Sequence, residues 1–280
     1  MKLITFNASR IGAVVGDGVF DLTTRIGVSD IKALLAGDLG AAQAALTGAP
    51  DHALSEVTLG LPVPDPTRIY CIGVNYMNRN EEYKDGSTAP QYPSVFVRNP
   101  RSFVPHGQAL EIPAESEQLD YEGEIVLVIG KPGRRISQAG AMDHVAGLTI
   151  MNEGTIRDWV RHGKFNVTPG KNWDKSGGIG PWIETDLSGV DVTDMTVETR
   201  VNGDVRQSDS TAAMAFPFAR ILEYVSTFGT LETGDMIATG TPIGAGARFD
   251  PPIWLKECDV VEVSVEGVGT LSNSVRKEPV

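Results

Sequence analysis

The sequence predicts a β-rich α+β fold in which a large β-sheet domain follows a small N-terminal α/β piece. Three observations carry that reading. Beyond residue 66 the chain is dominated by short Val/Ile-rich segments with turn signals between them, such as VNGD at 201–204 and VEGVG at 265–269. Helical patterns are few. LPVPDPTR, residues 61 to 68, carries three prolines, and because proline restrains itself and the residue before it, this reads as a stiff extended connector. Strands this short and numerous favour a sandwich, roll or barrel over a doubly wound sheet.

The elements follow in order. KLITFN, GAVVG and GVFDL read as strands, and one helix with a Gly-containing interruption is expected within Asp30–Leu46. The connector then separates a small domain, 1–65, from a large one, 66–280. In the large domain RIYCIGV, SVFVRN, EGEIVLVIG, HVAGLTIMN, MTVETRVNG, DMIATG and DVVEVSVEGVGTLSNSV read as strands. Helices are expected near Thr155–Arg161 and Met214–Phe228.

Composition narrows the function. Hydrophobic residues make up 41% and charged residues 21%, the balance of a soluble globular chain rather than a disordered one. A net charge of −12 and a pI near 4.8 argue against a generic binder of nucleic acid or anionic membrane. No apolar stretch approaches the ~18–20 residues of a membrane helix, and MKLITFNASR lacks a signal-type apolar block. Cys71 and Cys258 are too few and too far apart for a disulfide framework or zinc knuckle. Both read as buried reduced thiols, and a cytoplasmic protein is expected.

The chemistry concentrates in Asp120-Tyr121-Glu122-Gly123-Glu124-Ile125-Val126-Leu127-Val128-Ile129-Gly130. A strand points residues i and i+2 to one face, so Glu122 and Glu124 project together and their face continues as Val126 and Val128. The opposite face is apolar too, the mark of a central strand, with the paired carboxylates where it leaves the core. At ~5–6 Å and an effective dielectric of about 20 their repulsion is about 3 kcal/mol. A proton or a cation must relieve it. All-oxygen ligands suit a hard divalent ion, Mg²⁺ or Mn²⁺, or else Ca²⁺. Two ordinary glutamates at a solvated strand end would give the same pattern. The next strand weighs against that: its apolar run ends in Asn152-Glu153-Gly154 and turns into a short helix, delivering a third carboxylate at a corner. The three would form an open facial oxygen set with positions left for water and substrate. Asp158, one turn on, is either an acceptor behind the ligands or an exposed acid pairing Arg157 or Arg161.

Downstream, Lys171 lies in a polar, Gly-rich stretch, GKNWDKSGGIGPW. It either binds an anionic substrate and polarises a carbonyl beside the carboxylates, or it is a surface loop lysine. Thr239-Gly240-Thr241-Pro242-Ile243-Gly244 offers hydroxyls and backbone N–H groups, the makings of a carboxylate-binding nest. No GxxxxGK[ST], GxGxxG or GxSxG pattern supports a nucleotide or serine-hydrolase reading, and the histidines (His52, His106, His144, His162) lack paired metal-ligand spacing.

Taken in order, YEGEIVLVIGK, NEGTIRDW, GKNWDKSGGIGPW, the VNGDVRQ hairpin and LETGDMIATGTPIGAG resemble the fumarylacetoacetate hydrolase superfamily from roughly Arg68 to Val275. Residues 1–65 resemble the small N-terminal domain that many bacterial members carry. The resemblance implies a rolled β-sheet catalytic domain, usually a homodimer. It implies Mg²⁺ or Mn²⁺ held by Glu122, Glu124 and, where most relatives have Asp, Glu153. Lys171 falls on the family's substrate-binding lysine, Thr241 beside Gly240 on its carboxylate-binding TGTP turn, and Gln207 where relatives line the substrate pocket.

One departure bears on the reaction. Relatives that hydrolyse C–C bonds typically carry Asn-Tyr-x-x-His with Glu three residues on, a water-activating pair on a lid. Here Asn75-Tyr76-Met77-Asn78-Arg79-Asn80-Glu81-Glu82 retains Glu82 but puts Arg79 in the His place. Arginine does not act as a base near neutral pH, though it binds a carboxylate bidentately. Glu82 alone or another residue such as His162 would then activate water, or the chemistry is not hydrolysis. The resemblance implies a metal-dependent enzyme of aromatic-compound catabolism that hydrolyses a small-molecule 2-oxo acid, an acylpyruvate such as maleylpyruvate or fumarylpyruvate. The alternative keeps the site but isomerises or decarboxylates, acting on 5-carboxymethyl-2-hydroxymuconate-type dienes or oxaloacetate; the lost histidine favours it. A noncatalytic binding protein on an inherited fold is the third reading.

Overall fold

The segment Gly123–Ile129 is buried at every position, and its two faces enter different cores. Ile125, Leu127 and Ile129 pack into one; Val126 and Val128 pack into the other. It pairs antiparallel with Val145–Asn152 on one side and Met236–Ala238 on the other, so it is the central strand its double apolar pattern predicts. The computed structural model describes residues 1–37, 39–77, 90–160, 162–163 and 166–279.

Among the described residues eleven strands form this sheet. From Gly123–Ile129 it runs through Val145–Asn152 and Gly177–Glu184 to the N-terminal strands Lys2–Phe6, Arg10–Val15 and Gly18–Asp21. In the other direction it runs through Met236–Ala238 and Ile69–Gly73 to the edge strand Ser94–Arg98. The chain before the proline connector therefore shares a sheet with the chain after it: Lys2 pairs with Glu184 and Leu3 with Ile183.

A second sheet, five strands wide, orders Asp204–Ser210, Thr196–Val201, Val260–Val265, Gly269–Lys277 and Leu110–Ile112. Its Val197, Val263, Val265 and Leu271 share a core with Ile125, Leu127, Leu148 and Ile150 of the first sheet. The VNGD hairpin forms as expected, with Asn202 at φ 53° and Gly203 at φ 85°, the left-handed pair that a tight two-residue turn requires. Mostly β structure in several sheets, with few helices, is the predicted class.

Local expectations needed several corrections. The last helix spans Phe218–Phe228 rather than starting at Met214, because Pro217 sits extended at its N-cap. The helix expected within Asp30–Leu46 is two, Ile31–Ala36 and Gly40–Ala44, parted after Gly37. A further helix, Leu22–Ile26, is capped by the Asp21 carboxylate. The short helix after Glu153 is a two-residue strand, Thr155–Ile156, followed by a single 3₁₀ turn, Arg157–Trp159. Cys71 is buried, but Cys258 is exposed: it lies at φ 72° in the turn closed by the Asp259 N–H donating to the Lys256 carbonyl. No helix among the described residues is long and apolar enough to cross a membrane.

Candidate active site and metal centre

Glu122, Glu124 and Glu153 converge. One carboxylate oxygen from each lies within 4.8 Å of the others, and all three residues are buried. Backbone pairing sets this up. The Glu122 N–H donates to Asn152 Oδ1 (3.0 Å) and the Glu153 N–H to the Glu122 carbonyl (2.7 Å), which locks the corner of one strand against the start of the other. Gly154 permits the corner, since a Cβ there would lie 1.8 Å from the Ser176 carbonyl oxygen. Glu124 Oε2 accepts from the Gly240 N–H (2.8 Å). Gly240 adopts φ 101°, and a Cβ on it would meet Asn75 Cβ at 2.7 Å.

Burial, and then the charges of Glu153 and Glu122, push the Glu124 carboxyl well above the usual carboxylate range. At separations of this order each like-charged pair costs about 3 kcal/mol at an effective dielectric of about 20. Among the described residues three cationic side chains offset this. Lys171 Nζ donates to Glu122 Oε2 (2.5 Å) and Glu153 Oε2 (2.9 Å). Burial works to lower its pKa, but the two glutamates outweigh burial and keep it an ammonium above its ordinary value. Arg157 donates through Nε to Asp120 Oδ2 (2.7 Å) and through Nη2 to Glu122 Oε1 (2.6 Å). Arg98 lies behind, Nη1 3.7 Å from Glu153 Oε1, and donates to the Gly154 carbonyl and the Ser176 hydroxyl.

The donor set fits a hard divalent cation. All three donors are carboxylates; Glu153 Oε1 is buried and has no hydrogen-bond partner among the described residues; and Glu124 is held at an energetic cost that bound positive charge would remove. The Lys171 ammonium already stands between two of the three carboxylates, so the same oxygens attract a cation whether it is the protein's own or an ion.

The other predicted residues divide. Lys171 joins the carboxylates. Gln207 and Thr241 lie beside them, yet their polar atoms are engaged with the scaffold. Gln207 Oε1 accepts from the Gly123 N–H (2.9 Å), and its Nε2 donates to Thr241 Oγ1 (2.8 Å) and the Pro242 carbonyl (2.8 Å). Thr241 Oγ1 in turn donates to the Gly123 carbonyl (2.9 Å). The result is a clasp joining the second sheet to the start of Gly123–Ile129, and the Gly240 N–H is committed to Glu124. Arg79 and Glu82 lie outside the described residues. Asn75, at the head of their motif, donates to the Phe216 and Thr239 carbonyls and accepts from the Phe216 N–H. His162 is exposed and meets the Trp159 ring edge-on at 4.1 Å between centroids. Asp158 accepts from the Ser116 hydroxyl (2.7 Å) rather than pairing Arg157, whose guanidinium goes to Asp120 and Glu122. Asp120, Arg157 and Arg98 are the site residues that sequence reasoning missed. The available signals were faint: an acid two positions before the glutamate pair and an arginine closing the apolar SVFV.

Comparison with known proteins bears on this site. The profile described as fumarylacetoacetate (FAA) hydrolase, C-terminal, matches residues 68–276, a span that holds all three carboxylates, Lys171, Arg157 and Arg98. The chain belongs to the fumarylacetoacetate hydrolase family. Within the family, oxaloacetate tautomerase YisK of Bacillus subtilis (strain 168) is 42% identical over 227 residues, 80% of this chain and 75% of that protein. The solved structure of a fumarylacetoacetate hydrolase from Exiguobacterium antarcticum is 33% identical with a TM-score of 0.85, covering 99% of this chain and 100% of that one. Maleylpyruvate hydrolase from Sphingobium sp. SYK-6, solved with manganese(II) and pyruvate, is 26% identical with a TM-score of 0.84, covering 100% of both chains. Named fumarylacetoacetate hydrolase family relatives of this enzyme thus include both a tautomerase and hydrolases.

Proposed function

We propose that this protein is a divalent-metal-dependent oxaloacetate tautomerase, interconverting the keto and enol forms of a four-carbon 2-oxo dicarboxylate. The observation that carries the reading is the buried Glu122, Glu124 and Glu153 set with the Lys171 ammonium against it, in a chain 42% identical to an oxaloacetate tautomerase. When bound, Mg²⁺ or Mn²⁺ supplies Lewis acidity and a grip on adjacent carboxylate and 2-oxo oxygens. The three glutamates hold the ion. Lys171, kept protonated by its neighbours, offers positive charge to the 2-oxo oxygen as enolate character develops. Glu82 moves the proton between C3 and the 2-oxo oxygen, taking it from C3 as the enol forms and giving it back to C3 as the keto form returns, and Arg79 seats the second carboxylate through its two-pronged guanidinium. The clasp of Gln207 and Thr241, with Gly240, holds Gly123 and Glu124 in place.

The departure in the lid motif supports tautomerisation over hydrolysis, because a proton shift needs no attacking water and Arg79 cannot activate one. A second reading, hydrolysis of an acylpyruvate, is favoured by the full-length likeness to maleylpyruvate hydrolase. A cytoplasmic homodimer belongs to the proposal. The test is to mix enol-oxaloacetate with protein and Mn²⁺ and follow the enol's ultraviolet absorbance. Decay well above the uncatalysed rate, lost on adding EDTA, supports the tautomerase. Pyruvate release from maleylpyruvate with no acceleration of enol decay overturns it in favour of the hydrolase.

A further inference from the structure

The hydrogen bonds around Glu122 divide its carboxylate. Oε1 accepts from Arg157 Nη2, whereas Oε2 faces the Lys171 Nζ that also reaches Glu153, and accepts more distantly from the Thr155 hydroxyl (3.4 Å). The guanidinium that holds Oε1 is itself held, its Nε donating to Asp120 Oδ2 at 2.7 Å. Asp120 is fully buried. Its Oδ1 accepts from the N–H groups of Tyr121 (2.8 Å) and Gly246 (2.7 Å), and its Oδ2 accepts also from that of Ala247 (3.0 Å). Four donors converge on this one carboxylate, so it cannot turn without losing several of them.

The geometry is a product of local pairing. Asp120 and Glu122 are two residues apart, so on a near-extended segment their side chains leave on one side, while Tyr121 is buried in a separate apolar cluster. Thr155 pairs with Asp120 and Ile156 with Leu119, which brings Arg157 alongside. Arg157 reaches the two carboxylates through separate nitrogens, Nε and Nη2, fixed in one plane; a lysine ammonium, which can bridge carboxylates only through one nitrogen as Lys171 does, does not reproduce that fork.

We propose that Asp120 is a positioning residue: acting through Arg157, it fixes the rotation of the Glu122 carboxylate so that Oε2 is the oxygen presented to the cation. The inference rests on the cation-site reading above. Partners behind a ligand commonly matter about 10–100-fold in metal affinity, and here the partner is a two-step relay rather than a direct contact.

The test is a double-mutant cycle on the full chain, read by Mn²⁺ affinity in titration calorimetry and by the Mn²⁺ electron paramagnetic resonance spectrum without substrate. The variants are Asp120→Asn, Arg157→Lys, which keeps the charge but breaks the bridge, and the two combined. Each single change is expected to raise the Mn²⁺ Kd about tenfold and to alter the spectrum. The double variant is expected to bind no more weakly than Arg157→Lys alone, because in the relay Asp120 acts on Glu122 through Arg157. If Asp120 only braces the turn at Gly246 and Ala247, the two losses multiply, and that overturns the proposal. An unchanged Kd and spectrum in either single variant overturns it as well. Should Asp120→Asn fail to fold, Arg157→Lys decides: a raised Kd with an altered spectrum supports the relay, and wild-type values overturn it. These readouts do not depend on which substrate is turned over, so a failed tautomerase assay leaves them standing. Wild-type protein that binds no Mn²⁺ would overturn both readings.

Discussion

Lys171 Nζ lies 2.5 Å from Glu122 Oε2, so a protein ammonium occupies space between two carboxylates of the candidate metal centre. An incoming ion competes with it for the same oxygens. Lys171→Met is therefore expected to bind Mn²⁺ about tenfold more tightly, since a unit positive charge about 4–5 Å from a dication repels it by about 2 kcal/mol even at the dielectric of water. The same change strands two buried carboxylates in the metal-free protein. Breaking a buried pair costs about 3–5 kcal/mol, or roughly 5–15 °C in melting temperature for a chain of this size. Calorimetric titration and thermal melts with and without Mn²⁺ check the opposite signs; weaker binding together with an unchanged melt would refute the competition.

Glu124 behaves differently because its charge is disfavoured first by burial and then by Glu153 and Glu122. Replacement by the neutral isostere Gln keeps the shape and the contact with the Gly240 N–H. Glu124→Gln is expected to abolish Mn²⁺ binding and enol-oxaloacetate turnover, yet to melt higher than the parent when both are metal-free. A lower metal-free melting temperature would show that the carboxylate is stabilising where it stands.

Away from the site, Glu111 supplies a pH-dependent stability term. It accepts from Lys175 Nζ (3.0 Å) and Arg276 Nη2 (2.5 Å), tying the second sheet to the loop after Lys171. Burial works to raise its pKa, but those two partners outweigh burial and hold it below the ordinary value of 4.5. A carboxyl depressed in the folded state stabilises fully above its unfolded pKa, and the gain fades as pH falls through the folded one. Glu111→Gln should melt below the parent at pH 7, with the gap closing below about pH 4. A gap that stays constant across that range contradicts the linkage.

Arg79→His restores the residue that C–C hydrolysing relatives carry. With Mn²⁺ present, the variant is expected to release pyruvate from maleylpyruvate while losing affinity for a second carboxylate, seen as a raised KM for oxaloacetate. Identical kinetic constants for parent and variant in both assays would mean that position 79 does not face the substrate.

Which features are legible in the sequence depends on how far away their partners lie. Glu122 and Glu124 share a face because of a spacing of two, and the central position of their strand is written in the apolar residues that follow. Glu153 is legible too, as an acid that ends an apolar run. Arg98 and Asp120 are not. What makes them matter are partners 56 residues away at Gly154 and 126 away at Gly246, which no local pattern records. Gln207 shows a subtler limit. Its place beside the site is implied by the family resemblance alone, and whether its amide serves substrate or scaffold is decided by the second sheet lying against Gly123. Cys258 has strand-like neighbours in WLKECDVVEV, and only the backbone reveals the turn. The proline connector marks a stiff segment, while the pairing of Lys2 with Glu184 carries the sheet past it.

The clamping of Gly123–Ile129 between two cores has a consequence for how such an enzyme diversifies. A substitution at Ile125 or Val126 disturbs one packed layer or the other and is transmitted straight to the carboxylates, so this segment has little freedom to drift. New substrate preferences have to be written outside this ribbon, in the turns after Thr241. Libraries aimed there, with the central ribbon left untouched, are the economical route to altered selectivity.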